Sequence, residues 1–93
     1  MDERGYRRFL KGQGLTDKAI NSRITRGNRV EREFNVNLDI VVQSEDNMIE
    51  IRRKIYEEYG NRGSLPSNLY NAVRKYYAYR NRREMPRINA IED

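Results

Sequence analysis

Apolar residues recur along most of this chain at intervals of three and four, the spacing that places side chains on one face of an α-helix. The pattern predicts four helices, near residues 3–12, 16–34, 45–59 and 66–83. The expected inward-facing residues are Tyr6, Phe9 and Leu10, then Ile20, Ile24, Gly27, Val30 and Phe34, then Met48, Ile51, Ile55 and Tyr59, and finally Leu69, Ala72, Val73 and Tyr76. We therefore expect an all-α fold, and a single contiguous core from the last three helices.

Start and stop signals flank these segments. Thr16 and Ser44 stand where a side-chain oxygen can cap a helix N-terminus, and acidic residues that complement the helix dipole follow each of them. Gly60 is placed to end the third helix, and Pro66 suits the first turn of the fourth. The helix boundaries are therefore predicted by two independent signals, periodicity and capping.

Two segments lack helical periodicity. Residues 35–42 are rich in β-branched side chains, but the sequence offers no second strand to pair with them, and a lone strand leaves its backbone groups unsatisfied. We expect a connector there that buries Leu38 and either Val41 or Val42. Residues 84–93 are expected to form a flexible tail of a single domain spanning residues 1–93.

The amino-acid composition limits the classes of function that are expected. The chain has 19 cationic residues, no histidine and no cysteine, with a net charge of +5. The absence of histidine and cysteine excludes disulfides and thiolate zinc sites and removes the usual general base near neutral pH, so we expect no enzyme, no cofactor and no metal. The acidic residues Glu45, Asp46 and Glu50 are an alternative magnesium site, but capping already explains the first two. No apolar run approaches the length of a membrane span and the charged start is unlike a signal peptide, which favours an intracellular, cytoplasmic location.

Arginine dominates the positive charge, with 15 arginines against four lysines. Because a guanidinium group matches two phosphate oxygens at once, this bias favours a nucleic-acid partner. The candidate nucleic-acid-binding residues are Arg23, Thr25, Arg26, Asn28, Arg29 and Arg32 in the second helix, and Arg74, Lys75, Tyr77, Arg80, Arg82 and Arg83 in and after the fourth. In the second helix, Arg26, Arg29 and Arg32 are expected on the exposed face and Arg23 beside the core. The alternative is a solvated helix face balanced by Glu33.

The tyrosines suggest a second feature. Tyr70 and Tyr77 on one flank of the fourth helix, and Tyr79 on the other, could form a platform on which bases stack. Arg52 falls inside the apolar arc of the third helix, where a snorkelling stem or a buried ion pair is expected, so it is not counted as a binding residue.

The order of these signals resembles a known family. Phe9-Leu10-Lys11, Gly14 to Ser22, Phe34 to Asp39 and Leu69 to Tyr77 are similar to the SAM-like core-binding domain of tyrosine recombinases, the N-terminal module of phage integrases. The resemblance covers about Tyr6 to Arg80. It implies a small orthogonal four-helix bundle that clamps duplex DNA, mostly through the backbone, opposite a separate catalytic domain. That catalytic domain and its histidine-containing constellation do not lie within these 93 residues.

Two function classes follow. The first is a DNA-binding module of the DNA-recombination type that neutralises phosphates of double-stranded DNA, with weak sequence specificity. The alternative is a small helical protein-interaction module, such as a phage or mobile-element inhibitor or adaptor, that docks an acidic surface or the nucleic-acid groove of a partner enzyme. A helix-turn-helix regulator fits less well, because residues 12–16 only roughly match the usual turn between its two helices.

Overall fold

The computed structural model describes residues 1–86, which form five helices and no strand. The helices are α1 (Glu3–Gly12), α2 (Asp17–Phe34), α3 (Leu38–Val41), α4 (Glu45–Tyr59) and α5 (Leu65–Asn81). The all-α class is confirmed, and the four expected helices are present, with α3 as an additional single turn. The predicted tail residues 87–93 lie outside the described part of the chain.

Side-chain caps begin the helices where the sequence predicted them. Thr16 Oγ1 accepts a hydrogen bond from the backbone N–H of Ala19 at 3.2 Å, and Ser44 Oγ accepts one from Asn47 at 3.1 Å. The first turn of α5 contains Pro66, whose missing N–H costs nothing at a position that has no intrahelical acceptor. Local chemistry therefore accounts for the starts of the three long helices.

The core surrounds α5, which packs against all four other helices. The predicted core is confirmed at seven buried positions, Ile20, Ile24, Ile51, Ile55, Leu69, Val73 and Tyr76. Phe34 is only half-buried, and its ring packs edge-on against Tyr59 with the two centroids 6.3 Å apart. Tyr6 is fully buried, and its hydroxyl donates to the carbonyl of Ala72 at 2.7 Å, which ties α1 to the middle of α5.

The connector between α2 and α4 is helical rather than extended. Asn35 adopts a left-handed conformation with φ 52° and ends α2, and the Asn37 side chain then caps the single turn of α3. Leu38, Val41 and Val42 are all buried, so both alternatives that the sequence left open at positions 41 and 42 enter the core. The connector prediction is confirmed.

The C-terminal end of α5 differs from the prediction. The helix ends at Asn81 rather than near residue 83, because Arg82 adopts a left-handed conformation with φ 56° and ψ 33°. Met85, which we placed in the flexible tail, is buried and joins the core. The chain therefore stays packed on the domain for several residues after α5.

Gly5 allows α1 and α5 to approach each other closely. The Tyr79 hydroxyl donates to Asp2 Oδ2 at 2.6 Å, directly above the first turn of α1. A Cβ at Gly5 would lie 1.8 Å from Tyr79 Oη and 2.4 Å from Asp2 Oδ2. Only glycine leaves room for this hydrogen bond.

Replacing Ile55 with alanine should lower the free energy of unfolding by about 2–5 kcal/mol, because it removes a fully buried side chain. The control is Ile40→Ala, since Ile40 is 56% exposed and should cost less than about 1 kcal/mol. Urea denaturation measures both. Similar losses at the two positions would contradict the placement of the α4 face.

Replacing Gly5 with alanine should destabilise the protein by about 1–3 kcal/mol, since the new methyl group displaces the Tyr79 hydroxyl. The same change at an ordinary helical glycine stabilises by up to about 1 kcal/mol. Gly12 in the same helix is the matched control, because a Cβ there meets nothing within 4 Å. Thermal melts should therefore shift in opposite directions for the two variants, and a shared sign would argue against the Gly5 contact.

Candidate nucleic-acid interface

Arg23 lies beside the core, as predicted. Its Nη1 donates to the backbone carbonyl of Asn71 in α5 at 3.2 Å, and the side chain is half-buried. A guanidinium group held in this way links α2 to α5. Its main role in the structure is packing between helices, although it was predicted as one of the phosphate contacts.

Arg29 is held by a small polar cluster on the outer surface. Its Nε donates to Glu33 Oε2 at 3.1 Å, and its guanidinium lies 5.4 Å from the centre of the Tyr59 ring. The Tyr59 hydroxyl also donates to Glu33. This hydrogen bond from Tyr59, together with the one from Arg29, lowers the pKa of Glu33, and the bond to Glu33 raises the pKa of Tyr59. Glu33 therefore balances the charge of Arg29, as the alternative of a solvated helix face predicted.

Arg26 and Arg32 are not balanced in this way. Arg26 is half-buried, Arg32 is exposed, and neither forms an ion pair within residues 1–86. Thr25 is exposed beside them, whereas Asn28 turns toward α1 and donates to Glu3 at 2.6 Å. The predicted exposed face is thus confirmed at Arg32 and partly at Arg26.

A shallow groove of about 750 Å³ runs along this face of α2 to the start of α5. We call it the α2 groove; it is lined by Lys18, Asn21, Ser22, Thr25, Arg26, Arg29 and Leu65. Cations alternate there with hydroxyl groups. Lys18 was not among the predicted residues, although it lies one turn before Ser22 on the same helix face.

The central part of α5 does not form the predicted stacking platform. Tyr77 is 1% exposed and Tyr70 is 7% exposed, so both rings belong to the core, and the prediction that they present a surface is wrong. Arg74 is half-buried, with its Nε enclosed by protein, and Lys75 Nζ lies 3.9 Å from Glu84 Oε1. The physical reason is that α5 is surrounded by the other helices, which leaves little of its length for a ligand.

Arg52 is half-buried and forms no ion pair within residues 1–86, so the structure does not support the second of the two expected arrangements, a buried ion pair. Its guanidinium stacks 4.5 Å from the centre of the Tyr56 ring and lies 5.7 Å from that of Tyr70. Aromatic rings rather than a carboxylate therefore accommodate its charge.

The arginines at the end of α5 have separate partners. Arg80 lies 3.7 Å from Asp39 and 4.0 Å from Asp2, and Arg83 lies 3.3 Å from Glu45. Arg82 is exposed and has no ion pair within residues 1–86. The predicted C-terminal group is therefore divided between structural pairs and one free cation.

A second groove, of about 550 Å³, lies between α1 and the end of α5. We call it the α1–α5 groove; its lining includes Arg8, Phe9, Gln13, Tyr79, Arg82 and Arg83. Arg8 was missed in the sequence, although Arg4, Arg8 and Lys11 follow helical spacing on an exposed stripe of α1. Because α5 has 17 residues, the two grooves lie at ends of it that are about 25 Å apart. The predicted arginines of α2 and those at the end of α5 therefore do not form one continuous surface.

Within residues 1–86 no group of acidic side chains is arranged to hold a metal ion. None of the helices described combines the length and the apolar character that crossing a membrane requires. Comparisons with protein-family models, curated proteins and solved structures found no match to this chain. The resemblance to recombinase core-binding domains therefore stays a prediction.

Acid should destabilise the protein through Asp2 and Glu33. Hydrogen bonds from the Tyr79 hydroxyl and the Gly5 backbone lower the pKa of Asp2, as those from Tyr59 and Arg29 do for Glu33. Carboxylates with a lowered pKa contribute stability above their unfolded pKa of about 4, and this stability is lost as the pH falls through the folded value.

We expect the melting temperature to fall between about pH 4.5 and pH 2, and the fall should be smaller in Asp2→Asn and Glu33→Gln. Glu58→Gln is the control, because Glu58 is exposed and has no ion pair within the described residues. Equal acid sensitivity in all of these variants would show that the two hydrogen-bonded carboxylates have no special role.

Proposed function

We propose that this protein binds double-stranded DNA through the α2 groove and the adjoining Arg32. The observation that carries the proposal is the composition of that face, where Lys18, Arg26 and Arg29 alternate with Ser22 and Thr25. Guanidinium and ammonium groups neutralise phosphates, and hydroxyl groups donate to phosphate oxygens. The combination is suited to positioning a protein on a DNA backbone.

The contacts within the domain indicate which cations contribute most to DNA binding. Arg26 and Arg32 form no ion pair within residues 1–86, and Arg32 interacts with Glu33 only through its charge, so both can engage phosphates without breaking an internal ion pair. Arg29 must exchange Glu33 for a phosphate, while Tyr59 keeps the guanidinium close to its position. We therefore assign the larger electrostatic contribution to Arg26 and Arg32, and we expect little discrimination between base sequences.

The finer fold belongs to the same proposal. The order of the four main helices, α1, α2, α4 and α5, is compatible with a small orthogonal SAM-like bundle, as the resemblance to integrase core-binding domains implies. In that interpretation α2 lies against the duplex, and α5 holds α2 in place. The module acts by binding and contributes no catalytic group.

A protein-interaction module is the second candidate, and one observation favours it. Ile40 is 56% exposed beside a small apolar groove of about 260 Å³ between α3 and α4, lined also by Val36 and Ile51. An exposed branched side chain next to such a groove is suited to contact with another protein. This surface is separate from the α2 groove.

Duplex binding is tested with the double variant Arg26→Ala/Arg32→Ala. We expect the fold to be retained, the affinity for a generic duplex to fall, and the slope of log K against log salt to flatten by about two units. Fluorescence anisotropy titrations at several salt concentrations measure the affinity and the salt slope, and circular dichroism reports the fold.

The matched control is Arg53→Ala/Lys54→Ala, which removes the same charge from exposed positions of α4, where Arg53 pairs with Glu50 and Glu57. It should leave the salt slope unchanged. If both double variants weaken binding equally, charge alone is responsible and the α2 groove is not the site. If the parent protein shows no duplex binding at low salt, the proposal fails in favour of the protein-interaction module.

A further inference from the structure

We propose that the α1–α5 groove binds an unpaired nucleotide of single-stranded nucleic acid, with the base against Phe9 and Tyr79 and the phosphate on the surrounding arginines. This site goes beyond the proposed duplex surface. It lies at the opposite end of α5 from the α2 groove, and α1, which supplied none of the predicted binding residues, contributes Arg8 and Phe9 to its lining.

The charge of the groove favours an anion. Three guanidinium groups, those of Arg8, Arg82 and Arg83, line it together with a single carboxylate, Glu84. Arg8 and Arg82 are exposed and form no ion pair within residues 1–86, whereas Glu84 lies 3.9 Å from Lys75 and Arg83 lies 3.3 Å from Glu45. Two arginines are therefore available to a phosphate without breaking a contact inside the domain.

The aromatic part of the groove favours a flat ring. Phe9 and Tyr79 are both half-buried, and their ring centroids are 5.6 Å apart with the planes inclined at 44°. The Tyr79 ring is held in place by its hydrogen bond to Asp2 and by its close approach to Gly5. A fixed aromatic surface stacks on any of the bases, at about 1–3 kcal/mol per base.

Backbone strain at Arg82 is a second, independent observation. This residue occupies the left-handed position that ends α5, with φ 56°, where glycine is usual because other residues are strained. Its backbone N–H donates to the Ala78 carbonyl at 2.9 Å, so the strained turn is a regular helix end. An arginine at this position places a guanidinium group at the rim of the groove. Backbone strain that lowers the stability of the fold is then tolerated because the side chain serves binding.

The groove distinguishes between classes of ligand. A volume of about 550 Å³ is in the range of small-molecule sites and can hold one nucleotide. The bases of a duplex are stacked on each other, so their faces are not available to Phe9 and Tyr79. An acidic peptide would satisfy the arginines but would make no use of the aromatic part of the groove. Of these three ligands, the unpaired nucleotide uses both the aromatic and the cationic part of the site.

Labelled oligothymidine, which forms no duplex, is the probe, and binding is measured by fluorescence anisotropy at constant salt. Phe9→Leu keeps an apolar side chain but removes the ring, and it should weaken binding about five-fold. An abasic oligomer of the same length should bind the parent more weakly and should not respond to Phe9→Leu.

Arg82→Gly separates binding from stability. Glycine relieves the left-handed strain, so the melting temperature should stay the same or rise, while affinity for oligothymidine falls about five-fold. The control is again Arg53→Ala/Lys54→Ala, which should leave oligothymidine binding nearly unchanged.

Three results would overturn the proposal. They are oligothymidine binding that is unaffected by both Phe9→Leu and Arg82→Gly, equal loss in the α4 control, and full competition by polyglutamate. The duplex proposal is judged separately, because Arg26→Ala/Arg32→Ala should weaken duplex binding and leave oligothymidine binding intact. Either proposal can therefore fail while the other stands.

Discussion

The hydroxyl of Tyr76 joins three parts of the chain, and the placement of α1 and α3 on α5 depends on it. It accepts a hydrogen bond from the backbone N–H of Asp2 at 2.7 Å and donates one to the Asp39 carboxylate. One turn further along α5, Tyr79 donates to Asp2 at 2.6 Å. Burial of the Tyr76 ring, together with the Asp39 carboxylate, raises the pKa of this hydroxyl, so it remains a donor throughout the neutral range. The start of α1 is therefore fixed to the last turns of α5, and α3 is held on the same side.

The same arrangement decides where the free positive charge lies. Several carboxylates are used inside the fold. Asp39 lies 3.7 Å from Arg80 Nε, and Glu31 lies 3.1 Å from the ammonium group of Met1 and also accepts the N–H of Leu38. These contacts hold one acidic group of α2 and one of α3 inside the fold. Within residues 1–86 no ion pair is formed by Lys18, Arg26 and Arg32 at one end of α5, or by Arg8 and Arg82 at the other. A modest net charge of +5 thus becomes two local cationic surfaces, each with its own neighbours. Hydroxyl groups accompany the first surface and aromatic rings the second, and this difference supports a division between duplex backbone and unpaired bases.

The candidate site was predictable from the sequence only where one helix supplies it. On α2, periodicity separates Arg26 and Arg32 from the apolar face, and the structure keeps that separation. On α5 the same reasoning failed at Tyr77, because a helix that contacts all four others has no free flank, and periodicity within one helix cannot show how many neighbours surround it. Arg8 was missed for the complementary reason. Its significance comes from Tyr79 and Arg82, which are more than 70 residues away in the sequence and meet it only after α1 packs on α5.

By itself, the sequence determined the helices and most of the core. Thr16 and Ser44 cap α2 and α4 through hydrogen bonds to residues three positions away. Interactions over so short a separation can be predicted from the local sequence. The apolar stripes likewise specified which faces turn inward. Only the tertiary structure decided which distant polar groups pair with one another, since the pairing of Tyr76 with Asp39 or of Arg23 with Asn71 depends on packing distances and rotamers rather than on composition. It also decided the shape of the grooves, because a groove is the space between two elements. Helix periodicity is a property of one segment, whereas a binding surface depends on how segments meet.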